Sequence, residues 1–330
     1  MQTIKIKRSA LGLLTIICLV ITSNSAIAQS KGFAFTPKWK VGEKKTVTIA
    51  QHETEYKKGK LVEDTTRYLG AALNVLEESP DDYTLEILYE NVALRVAIDF
   101  FERIADELKG YKNLQLKYRV NKKTGKTELI NWKEAQTFIN KSFDQINVLL
   151  EKKVPDVAEY AKLAFTPITE MFESKENIEA YVNSEIGFLI FPYGKKFVTG
   201  DTLRITQACT NPFSPTETID QTTLSYLSNI NESKGQCDIN SSEIYDLGTF
   251  KEMMKSMMVK MSKTFGASES DRDKAAKEID SIDFDVSNET TITFDYNSSW
   301  PVKVMRTGKV VAADPRGRSE KVVVTTVTLK

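Results

Sequence analysis

Alternating apolar and polar positions dominate the chain from Phe33 to Val96. Lys45–Tyr56, Arg67–Glu77 and Tyr83–Val96 are rich in Thr, Val, Ile, Leu and Tyr, the residues that suit a pleated, half-buried surface. Lys58-Gly59 and Ser79-Pro80-Asp81-Asp82 separate them with turn chemistry, which predicts three consecutive strands. The period then lengthens. Ile98, Phe101, Ile104, Ala105 and Leu108 fall on one face of a helix over Ile98–Leu108. Leu114–Val120 reads as a strand again, and Asn121–Gly125 turns it into Lys126–Ile130.

The middle third is helical. Trp132, Ala135, Ile139, Phe143, Ile146 and Leu150 recur at helical spacing with Lys, Asp and Gln between them. Beyond Pro155 the pattern resumes through Val157, Tyr160, Ala161, Ala164 and Phe165, Thr166-Pro167 kinks or ends it, and Ile168 to Tyr181 adds further turns. Strands return at Phe197–Cys209, Thr218–Ile230 and Gln236–Ile244. Helices follow at Leu247–Phe265 and Asp271–Ile279, then strands at Ile282–Tyr296, Val302–Val311 and Lys321–Leu329.

The two halves echo each other. Lys40-Val41-Gly42-Glu43 before Val47-Thr48-Ile49 has a counterpart in Val198-Thr199-Gly200-Asp201 before Leu203-Arg204-Ile205-Thr206. Tyr118–Asn121 and its turn likewise match Phe294–Asn297 and its turn. Internal duplication is the simplest explanation; chance likeness among strand-rich segments is the alternative. The fold expected is α+β: two pseudo-repeated, curved antiparallel sheet lobes with packed helices, over 29–131 and 184–330, joined by a helical bridge over 132–183.

Phe191-Pro192-Tyr193-Gly194-Lys195-Lys196-Phe197-Val198-Thr199-Gly200-Asp201 resembles the entry to the second lobe of two-lobed exported proteins of Bacteroidota. Phe294–Lys303 resembles their Trp-Pro hairpin, with Ser299 where glycine is usual. That family has no assigned activity, so the resemblance implies architecture and compartment only.

The N-terminus carries an export signal. Lys5, Lys7 and Arg8 precede the apolar run Leu11–Ile21, which falls short of the ~20 residues a spanning helix needs. Ala26 and Ala28 stand at the positions a signal peptidase reads, so residues 1–28 are expected to be removed, leaving a soluble periplasmic or extracellular protein with no transmembrane segment. Ile17 disfavours lipidation at Cys18. The mature chain holds 42 basic and 45 acidic side chains, which gives no electrostatic case for nucleic acid as a partner.

Little in the sequence suggests catalysis. His52 is the only histidine and is expected on a solvated strand edge. One histidine and isolated cysteines do not make a zinc site, and Asp280, Asp283 and Asp285 lack the glycine turn and terminal Glu of an EF-hand. No phosphate-binding glycine motif occurs, so no cofactor is expected. An exported protein favours a Cys209–Cys237 disulfide, but a simple meander would put those residues at opposite ends of the sheet, so both outcomes stand open.

The most distinctive segment is Phe250–Met261. Phe250, Met253, Met254, Met257, Met258 and Met261 line one helical face. They could form core packing, a soft Cu(I) site, or an adaptable surface for an apolar ligand or partner peptide. The leading expectation is a non-catalytic envelope protein binding an apolar ligand or protein segment through Phe250, Met254, Met257, Met258 and Met261. A hydrolase using carboxylates alone and a structural partner in an envelope assembly are the alternatives.

Overall fold

A computed structural model describes residues 32–90, 114–153, 172–211, 214–264, 268–315 and 317–330, with isolated residues 155, 162 and 169. The export signal, the helix expected over Ile98–Leu108 and, apart from residues 162 and 169, the bridge over 156–171 lie outside the described residues.

The strands are β1 (Gly32–Ala34), β2 (Lys44–Lys57), β3 (Lys60–Glu78), β4 (Asp82–Tyr89), β5 (Leu114–Asn121), β6 (Thr127–Leu129), β7 (Lys196–Val198), β8 (Leu203–Asn211), β9 (Ser214–Asn231), β10 (Gln236–Tyr245), β11 (Asp283–Asp295), β12 (Trp300–Asp314) and β13 (Gly317–Leu329). The helices are α1 (Trp132–Lys153), α2 (Lys175–Ile190), α3 (Leu247–Thr264) and α4 (Glu269–Asp280). The first residues of the helical bridge are thus α1, and α2 runs past its expected end to Ile190.

Eleven strands form one open antiparallel sheet in the order β6-β5-β4-β3-β2-β13-β12-β11-β10-β9-β8. This corrects the expectation of two separate sheets. Each half is a meander, and β13 returns to pair with β2 from Ser319 opposite Lys57 to Leu329 opposite Val47, fusing the two ladders. Alternation fixes which face a residue takes; it does not name the neighbouring strand, so the fusion was not readable from it. A second, two-stranded sheet joins β1 to β7.

β3 starts seven residues before the expected Arg67. Lys58 and Gly59 both take positive φ, 52° and 74°, the geometry of a two-residue hairpin turn whose twist suits the flanking strands. Pairing therefore resumes at once, through the polar stretch from Lys60 to Thr66. α1 buries Ala135, Phe143, Ile146 and Leu150, four of the positions its periodicity marked. Each fully buried large apolar side chain contributes about 1.5–3 kcal/mol.

The core face is read by counting in twos along the strands: Val47 and Ile49, Ala71 and Leu73, Ile239, Ile292, Val304 and Val327 are all buried. At one end of this face an aromatic cluster closes the core. Trp39 stacks on Trp300 at 4.5 Å between ring centroids, Tyr193 meets Trp39 edge-on at 5.2 Å, and Phe35 meets Phe294 at 4.8 Å. Trp39 Nε1 and Tyr193 Oη both donate to the Ser299 carbonyl, at 3.1 and 2.5 Å, while Trp300 Nε1 donates to Glu43 Oε1 at 2.9 Å. Ser299 takes φ +57°, which is why glycine would be at home there.

The turn after β5 touches the turn before β7. A Cβ on Gly125 would lie 2.5 Å from the Tyr193 carbonyl oxygen, and one on Gly194 would run into the Thr124 carbonyl. Both glycines have positive φ, 65° and 71°. Gly194→Ala is therefore expected to cost about 2–4 kcal/mol. Gly200→Ala, at φ +82° but with open space around it, should cost only the ~1–2 kcal/mol of the backbone conformation. Urea unfolding midpoints check the ranking; equal losses would show that the close contact does not matter.

Candidate functional site

α3 carries the methionines. Asp246 caps it, with Oδ1 accepting from the Gly248 and Thr249 amides at 2.9 and 3.4 Å and Oδ2 from Thr249 Oγ1 at 2.7 Å. These bonds hold its carboxyl below the ordinary range. The helix packs on β9, β11 and α4, and Lys255 ties it to α4 by pairing with both Glu252 at 2.7 Å and Asp280 at 2.5 Å. Met254 is half-buried. Phe250, Met257, Met258 and Met261 lie on the same helix, with their side chains outside the described residues.

The sheet under and beyond this helix holds groups that the sequence reading did not single out. Continuing in twos from Val47 and Ile49, the core-facing positions of β2 become Gln51 and Glu53. Glu53 is only 6% exposed. It pairs with Arg67 at 3.6 Å and with Lys321, and Arg67 also reaches Glu63 at 3.8 Å. The same count from Cys237 and Ile239 on β10 leads to Ser241, Glu243 and Tyr245. Ser241 and Ser225 share a buried hydroxyl pair at 2.8 Å. Glu243 accepts from Asn288 Nδ2 at 2.8 Å, from Arg306 at 3.1 Å and from the Tyr245 hydroxyl. Burial first, and then the Glu243 charge, push the Tyr245 phenol well above its usual value. The signal that could have found these groups is a charged residue standing where the period-two count demands a core residue.

The two carboxylates do not form a catalytic pair. β2 and β10 are four strands apart in the sheet, about 19 Å at the usual strand spacing, whereas glycosidases set their acids about 5–10 Å apart. Each is held by cations of its own.

His52 sits on the opposite, solvated face of β2, in the middle of the sheet rather than on the expected edge. Its Nδ1 meets Thr66 Oγ1 at 2.9 Å and its Nε2 lies 3.6 Å from Asp64. Among the described residues no three His, Cys, Asp or Glu side chains gather as metal ligands, and no helix is long and apolar enough to cross a membrane.

The ladder keeps Cys209 and Cys237 apart. Cys209 stands opposite Ile219, and Cys237 lies opposite the stretch between Ser228 and Asn231, on the order of 30 Å away along β9. Cys237 is a buried free thiol, and burial, helped by the Asp238 charge, raises its pKa to about 12.

A cleft of about 500 Å³ opens at the far end of the sheet, where the β2–β3 and β12–β13 hairpins meet the start of β11. Ile282, Ala312, Lys57, Lys58 and Arg318 line it beside Asp314, and Lys57 and Arg318 turn their charges to Glu55 and Glu320, which do not line it.

No family model and no curated protein matches this chain. Among solved structures, lipovitellin aligns over 89% of this chain and 25% of its own, at 7% identity and a TM-score of 0.40, so the chain spans about a quarter of that protein. An outer membrane channel from Pseudomonas putida F1 aligns over 89% of this chain and 98% of its own, at 7% identity and a TM-score of 0.21. A Bacteroides fragilis protein described as exported and of YmcC-like fold aligns over 90% and 98%, at 9% identity and a TM-score of 0.18. TM-scores this low carry neither fold nor function from those proteins to this one.

Two outcomes follow from this geometry. Cys237 should resist iodoacetamide at pH 8 in the native protein and react once urea unfolds it, as mass mapping of the labelled peptide would read; prompt native labelling would contradict its burial. Asp246→Ala should lower the urea midpoint at neutral pH. The folded carboxyl titrates below its unfolded value near 3.8, so the stabilisation is fully present above that value and is lost as pH falls through the folded pKa. The gap between the two proteins should therefore narrow as pH falls below 3.8; a gap that does not change with pH would assign the effect to something other than the charge.

Proposed function

We propose that this protein is a non-catalytic binding module of the cell envelope, holding an apolar ligand or a protein segment on the core-facing side of its sheet beside α3. One observation carries the reading: the central strands run on past the packed core with apolar side chains left partly open. On that face Val323, Val286 and Phe284 are half-buried and Val310 is 40% exposed. α3, with the half-buried Met254, packs on β9 and β11 beside them. A thioether side chain adapts to varied apolar shapes, which suits such a position. The same reading assigns Phe250, Met257, Met258 and Met261 to the ligand. It also takes the export signal at face value, which places the module in the periplasm or outside the cell.

We also infer that the halves descend from one duplicated unit. Asn121 Oδ1 accepts from the Lys123 and Thr124 amides. In the matching turn Asp295 Oδ1, two positions before the aligned Asn297, accepts from the Asn297 and Ser298 amides, so the turns share a capping chemistry at a register shifted by two. Gly42 and Gly200 share φ near +80° in matching turns. A relative whose halves align through both pairs of turns would support duplication; relatives lacking the second pair would count against it.

Native mass spectrometry of the full chain purified from its own envelope tests the binding reading. A lipid or peptide retained at one per chain is expected, with Met254→Asp reducing its occupancy. An empty monomer, or retention untouched by that substitution, would remove α3 from the site.

A further inference from the structure

Past the packed core, the core-facing side of β10, β11 and β12 carries Glu243, Tyr245, Asn288 and Arg306, a cluster whose hydrogen-bonding capacity is only half used. Three donors converge on one carboxylate oxygen. Glu243 Oε2 accepts from Asn288 Nδ2 at 2.8 Å, from Arg306 Nη2 at 3.1 Å and from the Tyr245 hydroxyl. Burial and the Glu243 charge raise the Tyr245 phenol, so it stays protonated and keeps donating. No described residue donates to the other oxygen, Oε1, and none accepts from Arg306 Nε or Nη1. The two side chains are 19% and 35% exposed, so a ligand reaches both open groups.

The sheet makes room around this cluster. Gly308 stands opposite Asn288, and a Cβ there would lie 2.8 Å from Asn288 Oδ1, so the glycine leaves β12 bare where the amide lies across it. A glycine inside a strand commonly marks such a close approach. Two residues further along, Val286 and Val310 stand opposite each other, and Phe284 follows on the same face. Val310 is exposed, and Val286 and Phe284 are half-buried.

An open acceptor and open donors side by side, next to partly open apolar side chains, set the chemistry of the occupant. A free carboxylate would meet the Glu243 charge, and an ammonium the Arg306 charge. An ester or a hydrocarbon offers Oε1 nothing to accept. A secondary amide supplies both an N–H and a C=O, and in an extended peptide those of one residue project on the same side.

We propose that Glu243 and Arg306 hold the main chain of an extended apolar peptide segment of a partner protein. Glu243 Oε1 accepts from a peptide N–H, Arg306 donates to the C=O of the same residue, and apolar side chains of the segment lie on Val286, Val310 and Phe284. The proposal rests on the binding-module reading and adds that the occupant is a protein segment, not a lipid.

Calorimetry of the full mature chain with three neutral probes tests it: the blocked peptide acetyl-Leu-Ala-Leu-Ala-Leu-amide, its all-ester analogue, and dodecanol. The peptide should bind at one per chain, about tenfold or more tighter than the ester analogue, because bonds to charged groups are the stronger class. Arg306→Met keeps an unbranched stem and removes the donors. It should bind the peptide about tenfold more weakly and dodecanol unchanged, with circular dichroism confirming its fold. The peptide–ester comparison uses the unaltered chain, so it decides even where the variant does not fold. Equal affinity for peptide and ester, or an amide-free lipid retained by the envelope-purified chain, would overturn the proposal. The binding module would survive either result as long as Met254→Asp still weakens dodecanol or that lipid. A chain that arrives empty and binds none of the three probes sinks both.

Discussion

One backbone carbonyl, that of Ser299, receives the indole N–H of Trp39 and the hydroxyl of Tyr193 in the buried core. These residues come from the entry to the first meander, the entry to the second and the β11–β12 turn, 260 and 106 positions apart. A buried donor left unpaired costs about 1–3 kcal/mol, so this acceptor cannot move without stranding two groups at once. The Trp39–Trp300 stack and the Trp300–Glu43 bond then lock the same turn to the start of β2. Both lone pairs of the carbonyl are used, on a residue that itself takes a left-handed conformation. The β2–β13 ladder extends this junction along eleven residue pairs. The two meanders consequently share one core.

Much of this was legible in the sequence. The period-two pattern marked nearly every long strand, and the period of α1 named four residues that are indeed buried. The Trp-Pro hairpin singled out by the resemblance supplies Trp300, which stacks on Trp39 in the core. Pairing was less legible, because alternation assigns faces and not partners. The strand β13 could close either lobe on itself or join them, and only its match to β2 decides. The early part of β3 was missed for a local reason: its polar residues are carried into the ladder by a tight turn, not by burial.

The candidate site shows the same division. Five residues of α3 were chosen by helical spacing; the helix packs on β9 and β11, and of the five Met254 alone is described at the side-chain level. Glu53, Glu243 and Arg306 escaped notice because a charge in a strand is ordinarily a solvated face. They become informative only when the count begins from residues known to be buried. The rim cleft was further out of reach. Lys57 and Lys58 lie near one end of the chain and Asp314 and Arg318 near the other, and pairing between β2 and β13 brings them together.

The charged rows also bear on why these strands are so long. Buried ion pairs of the Glu53 kind seldom add stability over well-packed apolar groups, so packing alone does not call for them in a core-facing row. Here the face passes from apolar packing to paired charges and then back to partly open Val310, Val286 and Phe284 near the hairpin tips. The charges there are paired with one another inside the sheet, so they are balanced without help from another element, while the outer apolar row stays partly open. The proposed binding role rests on this order of layers, apolar, then charged, then apolar again, along the same strands.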